Sequence, residues 1–198
     1  MPTNLELELA KGNAAELLWN TLVQKYHYLG HKVQVGRCLK YLVRGDGQLV
    51  AAISFSSPAW RVSVRDELLR LLGLADAKRA RDVVINNSRF LILPTVQAPH
   101  LASRILAAAA RQVIVDWAWY YSIEPLIAET FVEPERFEGT CYRAANWLQI
   151  GVTKGYAKVG ASHHNSQQPK MMFVYGLTRS CRRNLPAVAA ALRPLETA

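Results

Sequence analysis

Glu129 is a carboxylate set inside the apolar run Leu126 to Val132. Burial there raises its pKa, and a carboxyl group so tuned can take a proton from a bound group. An ion pair with an arginine such as Arg89 or Arg143 is the competing arrangement. Asn86, Asn87, Ser88 and Arg89 stand together just before a second apolar run, Phe90 to Leu93. Four polar groups beside a buried strand either line a cleft or fill a bulge, which makes Asn87, Ser88 and Arg89 candidate substrate-binding residues. Trp60, Arg61 and Arg65 form another cluster. On a helix, Arg61 and Arg65 share a face beside Trp60, a mixture of cation and ring that suits unpaired or flipped bases. A plain solvated helix face is the alternative.

The turn Val96 to Leu101 precedes the longest apolar helical pattern of the chain. Pro99 suits the first helical position, which leaves the N–H groups of His100, Leu101 and Ala102 free to meet an anion, with Arg104 nearby. An ordinary helix start is again the plain alternative. His163 and His164 are adjacent but lack acidic or cysteine companions at ligand spacing, so no metal site is expected. Cys141 follows Gly139 and Thr140 at a helix start and reads as a small buried residue before it reads as a nucleophile.

The chain of 198 residues is long enough for one complete domain of about 100–200 residues. Half of it is apolar and a fifth charged, the composition of a chain that buries a core. A formal charge of +9 and a pI near 9.7 favour polyanionic partners, nucleic acid first among them, or an anionic small ligand. Cys38, Cys141 and Cys181 are odd in number and widely spaced, which fits a reducing cytoplasm. No stretch of about 18 apolar residues predicts a membrane span.

These groups need elements to hold them. Leu5, Leu7 and Leu9 alternate with Glu6 and Glu8, the pattern of a half-buried strand. Asn13 caps a helix from Ala14 to about Tyr28, stopped by Gly30. Arg37 to Arg44 and Leu49 to Ser56 form a hairpin around Gly45-Asp46-Gly47. Ser57-Pro58 opens a helix over Trp60 to Leu74, and Lys78, Arg79 and Arg81 mark a solvated connection. A strand follows over Val83 to Val96, then a helix over Leu101 to Tyr121 and a strand over Leu126 to Val132. A short helix from Thr140 leads to Trp147, which plugs the core, and to a strand at Leu148 to Thr153. Composition predicts a flexible loop over 156–169, a strand at Met171 to Leu177 and, after a basic stretch from Arg179, a C-terminal tail over 184–198 that is an Ala-rich helix or a frayed end. The result is an α/β chain with a central mixed sheet and helices on both faces, read as a single domain, 1–198, with its core over 86–178.

This order resembles the GNAT superfamily of N-acyltransferases. The run Glu129-Thr130-Phe131-Val132, then Phe137 to Trp147, then Ile150 to Gly155, is similar to the closing GNAT motif. More closely, the chain resembles the Druantia anti-phage system protein A family, a domain also found beside transposases. The residues that carry this are Tyr28-Leu29-Gly30, Val35-Gly36, Tyr41-Leu42-Val43, Phe55-Ser56, Ala59-Trp60, Arg65-Asp66, Asn87 to Pro94 and His100 to Ser103. The resemblance implies an acetyl-CoA or related acyl-CoA donor whose pyrophosphate meets Val96, His100, Leu101, Ala102 and Arg104, although this turn lacks the GNAT glycines. It implies Tyr142 as the residue facing the leaving thiolate, with Glu129 as the base. The expected function is transfer of an acyl-type group to a nucleic-acid base or nucleotide in a phage-defence or mobile-element setting, with DNA and other proteins of such a system as partners. The alternative is a non-catalytic nucleic-acid-binding component on the same fold.

Overall fold

A computed structural model describes residues 2–74, 76, 81–153, 157–159, 162–164 and 168–192. Its main sheet has seven strands in the order β1-β2-β3-β4-β5-β9-β6. They are β1 (Leu5–Leu9), β2 (Cys38–Gly45), β3 (Gln48–Ser56), β4 (Val84–Ile92), β5 (Ile127–Val132), β6 (Leu148–Val152) and β9 (Met171–Gly176). Short strands β7 (Ala157–Val159) and β8 (Ser162–His164) pair as a separate ribbon. This places a hairpin inside the expected loop over 156–169. The side chains of His163 and His164 lie outside the described residues, as do Lys78 and Arg79.

Helices cover both faces. α3 (Leu101–Tyr121) and α4 (Thr140–Ala144) pack with Tyr41, Ile53, Phe55, Ile85, Ala128 and Phe173 on one face. α1 (Ala14–Tyr26), α2 (Ser63–Leu71) and α5 (Arg179–Ala190) cover the other, over Leu42, Ala52, Leu91, Val84, Ile127 and Val174. The expected start of α2 at Ser57-Pro58 is not observed: the helix begins at Ser63 after Val62, and residues 57–62 are irregular. The cause lies in Arg65, whose Nη1 donates to the Ala59 carbonyl at 2.8 Å and holds that segment out of helical register.

The feature that makes a site is where β4 and β5 meet. They run parallel and pair only through Val84, Ile85 and Asn86 with Ile127, Ala128 and Glu129. Beyond that point β4 bonds only to β3, with a bulge between Ser54 and Phe55, and β5 bonds only to β9. The strands part, and their free edges open a gap in the middle of the sheet. The polar run Asn87-Ser88-Arg89 interrupts the strand's alternation at this bulge, so it both fills the irregularity and lines the gap.

Gly139 caps α4 at φ +73, and a Cβ there would stand 2.5 Å from Cζ of the buried Phe173 ring. Gly139→Ala combines a left-handed backbone with overpacking. Urea unfolding is expected to show a loss of about 1–3 kcal/mol.

Candidate functional site

The gap between β4 and β5 continues as a cleft of about 780 Å³ that reaches both faces of the sheet. Alternation sorts its walls. Asn87, Phe90 and Thr130 face the α3 side with Tyr142 and Gly139, whereas Arg89 and Phe131 face the α1 side with Tyr28 and Leu29. Tyr142 lies on the floor. Its hydroxyl donates to Asn87 Oδ1 at 2.8 Å, and Thr130 Oγ1 stands 3.4 Å from the Tyr142 hydroxyl while donating to the main-chain carbonyl of Asn87 at 3.1 Å. The Asn87 Nδ2 group donates to Ser54 O and Arg89 O, which fixes its carbonyl toward the phenol. Phe173 stacks on the Tyr142 ring at 5.8 Å and Trp147 meets it edge-on at 5.2 Å. Burial pushes the phenol pKa up, so Tyr142 keeps its proton throughout the neutral range.

Glu129 does not join it. The pleat turns Glu129 to the α2 face, opposite its neighbour Thr130, where both carboxylate oxygens lie 3.3 Å from Arg65 Nη1 and one accepts from Ala59 N–H. Glu129 and Arg65 have fully buried side chains. Burial lifts the Glu129 carboxyl to about 7, against the pull of Arg65, much of whose guanidinium is committed to Asp66. Its partner is therefore neither Arg89 nor Arg143. The same geometry removes Arg65 from the expected surface cluster with Trp60 and Arg61. Trp60 is 70 % exposed on the irregular segment before α2, with Arg81 stacked 4.1 Å over its ring.

The helix start also differs from the expectation. His100, in the left-handed region at φ 58, caps α3, and Pro99 lies outside the helix. The Leu101 N–H donates to Ala98 O, and Leu101 itself is buried in the core. Val96 is partly buried against that core. Arg104 spends its guanidinium on the carbonyls of Pro2 and Thr3. Of this group only Ala102 lines the cleft.

The cleft recruits residues the sequence reading passed over. Tyr26, His27, Tyr28, Arg136 and Phe137 form its α1-side mouth, and Glu138 is the only carboxylate among its described lining residues. Tyr28-Leu29-Gly30 lies just beyond the end of α1 at Tyr26, where the helix stop brings Tyr28 and Leu29 to the cleft. Cys141 lines the cleft as well, but burial pushes its thiol pKa up and away from nucleophilic use. No group of metal-ligating side chains occurs among the described residues, and no helix there is long and apolar enough to cross a membrane.

The sequence model of the Druantia protein DruA matches residues 2–183. The chain belongs to this family. Among solved structures, the DruA-family chain is similar to aminoglycoside acetyltransferase AAC(6')-Ib in complex with coenzyme A. That match has a TM-score of 0.55 at 13% identity and covers 91% of this chain and 98% of that one. A spermidine N-acetyltransferase SpeG chimera from Vibrio cholerae and hSSAT matches with a TM-score of 0.54 at 10% identity, covering 88% of this chain and 96% of the other. Both are GNAT acetyltransferases, and the DruA-family chain has a GNAT-like fold. No curated protein matches it in sequence.

Proposed function

We propose that this DruA-family protein transfers an acyl-type group from a coenzyme A-like thioester to an amine of a nucleic-acid base or nucleotide, in a phage-defence or mobile-element setting. The observation that carries this is the buried Tyr142 phenol at the floor of a cleft opened by the parting of β4 and β5. The solved acetyltransferases with coenzyme A bound support the donor, and the charge of +9 supports the polyanionic acceptor. When bound, the thioester supplies the activated carbonyl carbon. As the amine nitrogen forms its bond to that carbon and the C–S bond breaks, Tyr142 turns its O–H from Asn87 Oδ1 toward the leaving sulfur and gives up the proton there, regaining one from solvent when the product leaves. Glu138, the cleft's carboxylate, takes the proton lost by the amine, directly or through water.

A second reading is a nucleic-acid-binding module that keeps the fold without the donor. One observation favours it: at the start of α3 no glycine opens the turn, the Leu101 N–H is already bonded and Arg104 is engaged elsewhere. Calorimetric titration with acetyl-CoA and with short DNA separates the two. The transferase reading expects acetyl-CoA to bind below about 1 mM. Absence of that binding, together with DNA binding that weakens steeply with salt, would remove the transferase reading in favour of the module.

A further inference from the structure

The cleft has a second mouth, on the α1 face, whose chemistry differs from its floor. Tyr26, Tyr28 and Phe137 are 41%, 40% and 49% exposed there, three large rings at the rim of one opening. Exposed aromatic surface gathered at a concavity marks a place for a flat apolar ligand. His27 stacks on Tyr28 at 4.9 Å, and Tyr28 meets Phe137 at 5.4 Å. The Leu29 N–H donates to His27 Nδ1 at 3.2 Å, and burial with Arg89 nearby lowers the imidazole pKa to about 4. The ring is neutral at pH 7 and its proton sits on Nε2, so it offers a hydrogen-bond donor rather than a base.

Arg89 supplies what the rings lack. Its Nε donates to Gly30 O at 3.0 Å and its Nη1 to Ser88 O at 2.6 Å, two carbonyls that fix the guanidinium without neutralising it. Arg37, Arg65 and Arg136 pair with Asp82, Asp66 and Glu129, and Glu133 respectively. Arg89 has no carboxylate partner among the described residues, although it lies half-buried in the cleft wall. A partly desolvated cation without a counter-charge is stabilised by an anionic ligand.

We infer that this mouth is a nucleotide subsite, in which a planar base stacks on the exposed Phe137 ring, with the tilted Tyr28 ring beside it, and its phosphate is held by Arg89. The inference rests on the proposed function for the acceptor's role but not for its binding. The ligand chemistry is a base with an attached phosphate, from a free nucleotide or from an unpaired position in a strand.

Binding by the full chain tests it, with thymidine monophosphate, a short oligothymidine strand and the matching duplex as probes. Thymidine avoids the adenine-containing part of coenzyme A. The monophosphate or the strand is expected to bind, and Arg89→Met and Tyr28→Ala each to weaken that binding about 10-fold or more. Tighter binding of the strand than of the monophosphate identifies an unpaired nucleotide in nucleic acid as the source, and equal affinity identifies a free nucleotide. Circular dichroism checks the fold, and if Arg89→Met unfolds, Phe137→Ala at its exposed ring carries the same expectation. The subsite is overturned if neither probe binds, if the folded variants change affinity less than about twofold, or if coenzyme A displaces the probe. Failure of coenzyme A to bind, with nucleotide binding intact and Arg89-dependent, overturns the transferase reading and leaves the subsite standing.

Discussion

Arg65→Met lowers the unfolding free energy by about 3–5 kcal/mol. The reason is positional. Arg65 and Glu129 are both fully buried, and the same guanidinium also holds the Ala59 carbonyl. Removing it leaves the buried Glu129 carboxyl without its partner, held either as an unpaired charge or as the protonated acid, and releases the irregular segment that carries Trp60. Glu129→Gln costs less, because Arg65 keeps Asp66 and the Ala59 carbonyl. Replacing both partners by apolar side chains of similar volume costs less than Arg65→Met alone, since neither charge is then buried unpaired. Urea unfolding of the three variants gives the order directly. If Arg65→Met falls within about 1 kcal/mol of wild type, the buried pair does not hold this face together.

The same carboxyl sets a pH dependence whose sign is opposite to that of most acidic groups. Its folded pKa of about 7 lies above its ordinary value of 4.5. Between those values the unfolded chain has released the proton while the folded chain keeps it, so stability falls as pH rises. The contribution is complete below the ordinary value and is lost as pH passes through the folded one. The slope from this group approaches about 1.4 kcal/mol per pH unit at most. Glu129→Gln removes it, so the stability difference between wild type and variant shrinks from pH 5 and levels off above about pH 7 in paired urea titrations.

The elements were legible because each rests on local chemistry. Leu5, Leu7 and Leu9 alternate along β1, Asn13 caps α1 through its side chain, and Asp46 and Gly47 take the positive φ angles of the hairpin. Leu101–Tyr121 emerges as a helix with the bounds its apolar pattern predicts. The site was legible only in part. Tyr142 and Asn87 meet at the cleft floor, yet Arg65 looked like a surface cation, because its carboxylate lies 64 residues away in sequence. A charged residue is ordinarily solvated, and only the tertiary pairing makes its burial affordable. Tyr28 and Phe137 likewise gain meaning from touching across the cleft, 109 positions apart as numbered (137 − 28), which no periodicity reveals.

Tyr142→Phe is expected to reduce kcat by about 10²–10⁴-fold, the range for loss of a positioned general acid, with little change in donor binding. The substitution keeps the ring and its packing on Phe173 and Trp147, so only the O–H is lost. It also leaves Asn87 Oδ1 without its buried donor, a stability cost of about 1–3 kcal/mol. Rate and stability together therefore discriminate. A folded Tyr142→Phe protein that transfers acyl groups at the wild-type rate would reduce the phenol to a packing residue and leave the leaving sulfur to draw its proton from solvent. A loss of rate that persists where the variant is fully folded assigns the proton to Tyr142. Burial raises the phenol's pKa, so the wild-type rate should show no alkaline decline from this residue below about pH 10. A decline near neutrality that vanishes in Tyr142→Phe would contradict that environment, because burial of a phenol bonded to an uncharged amide holds its proton on.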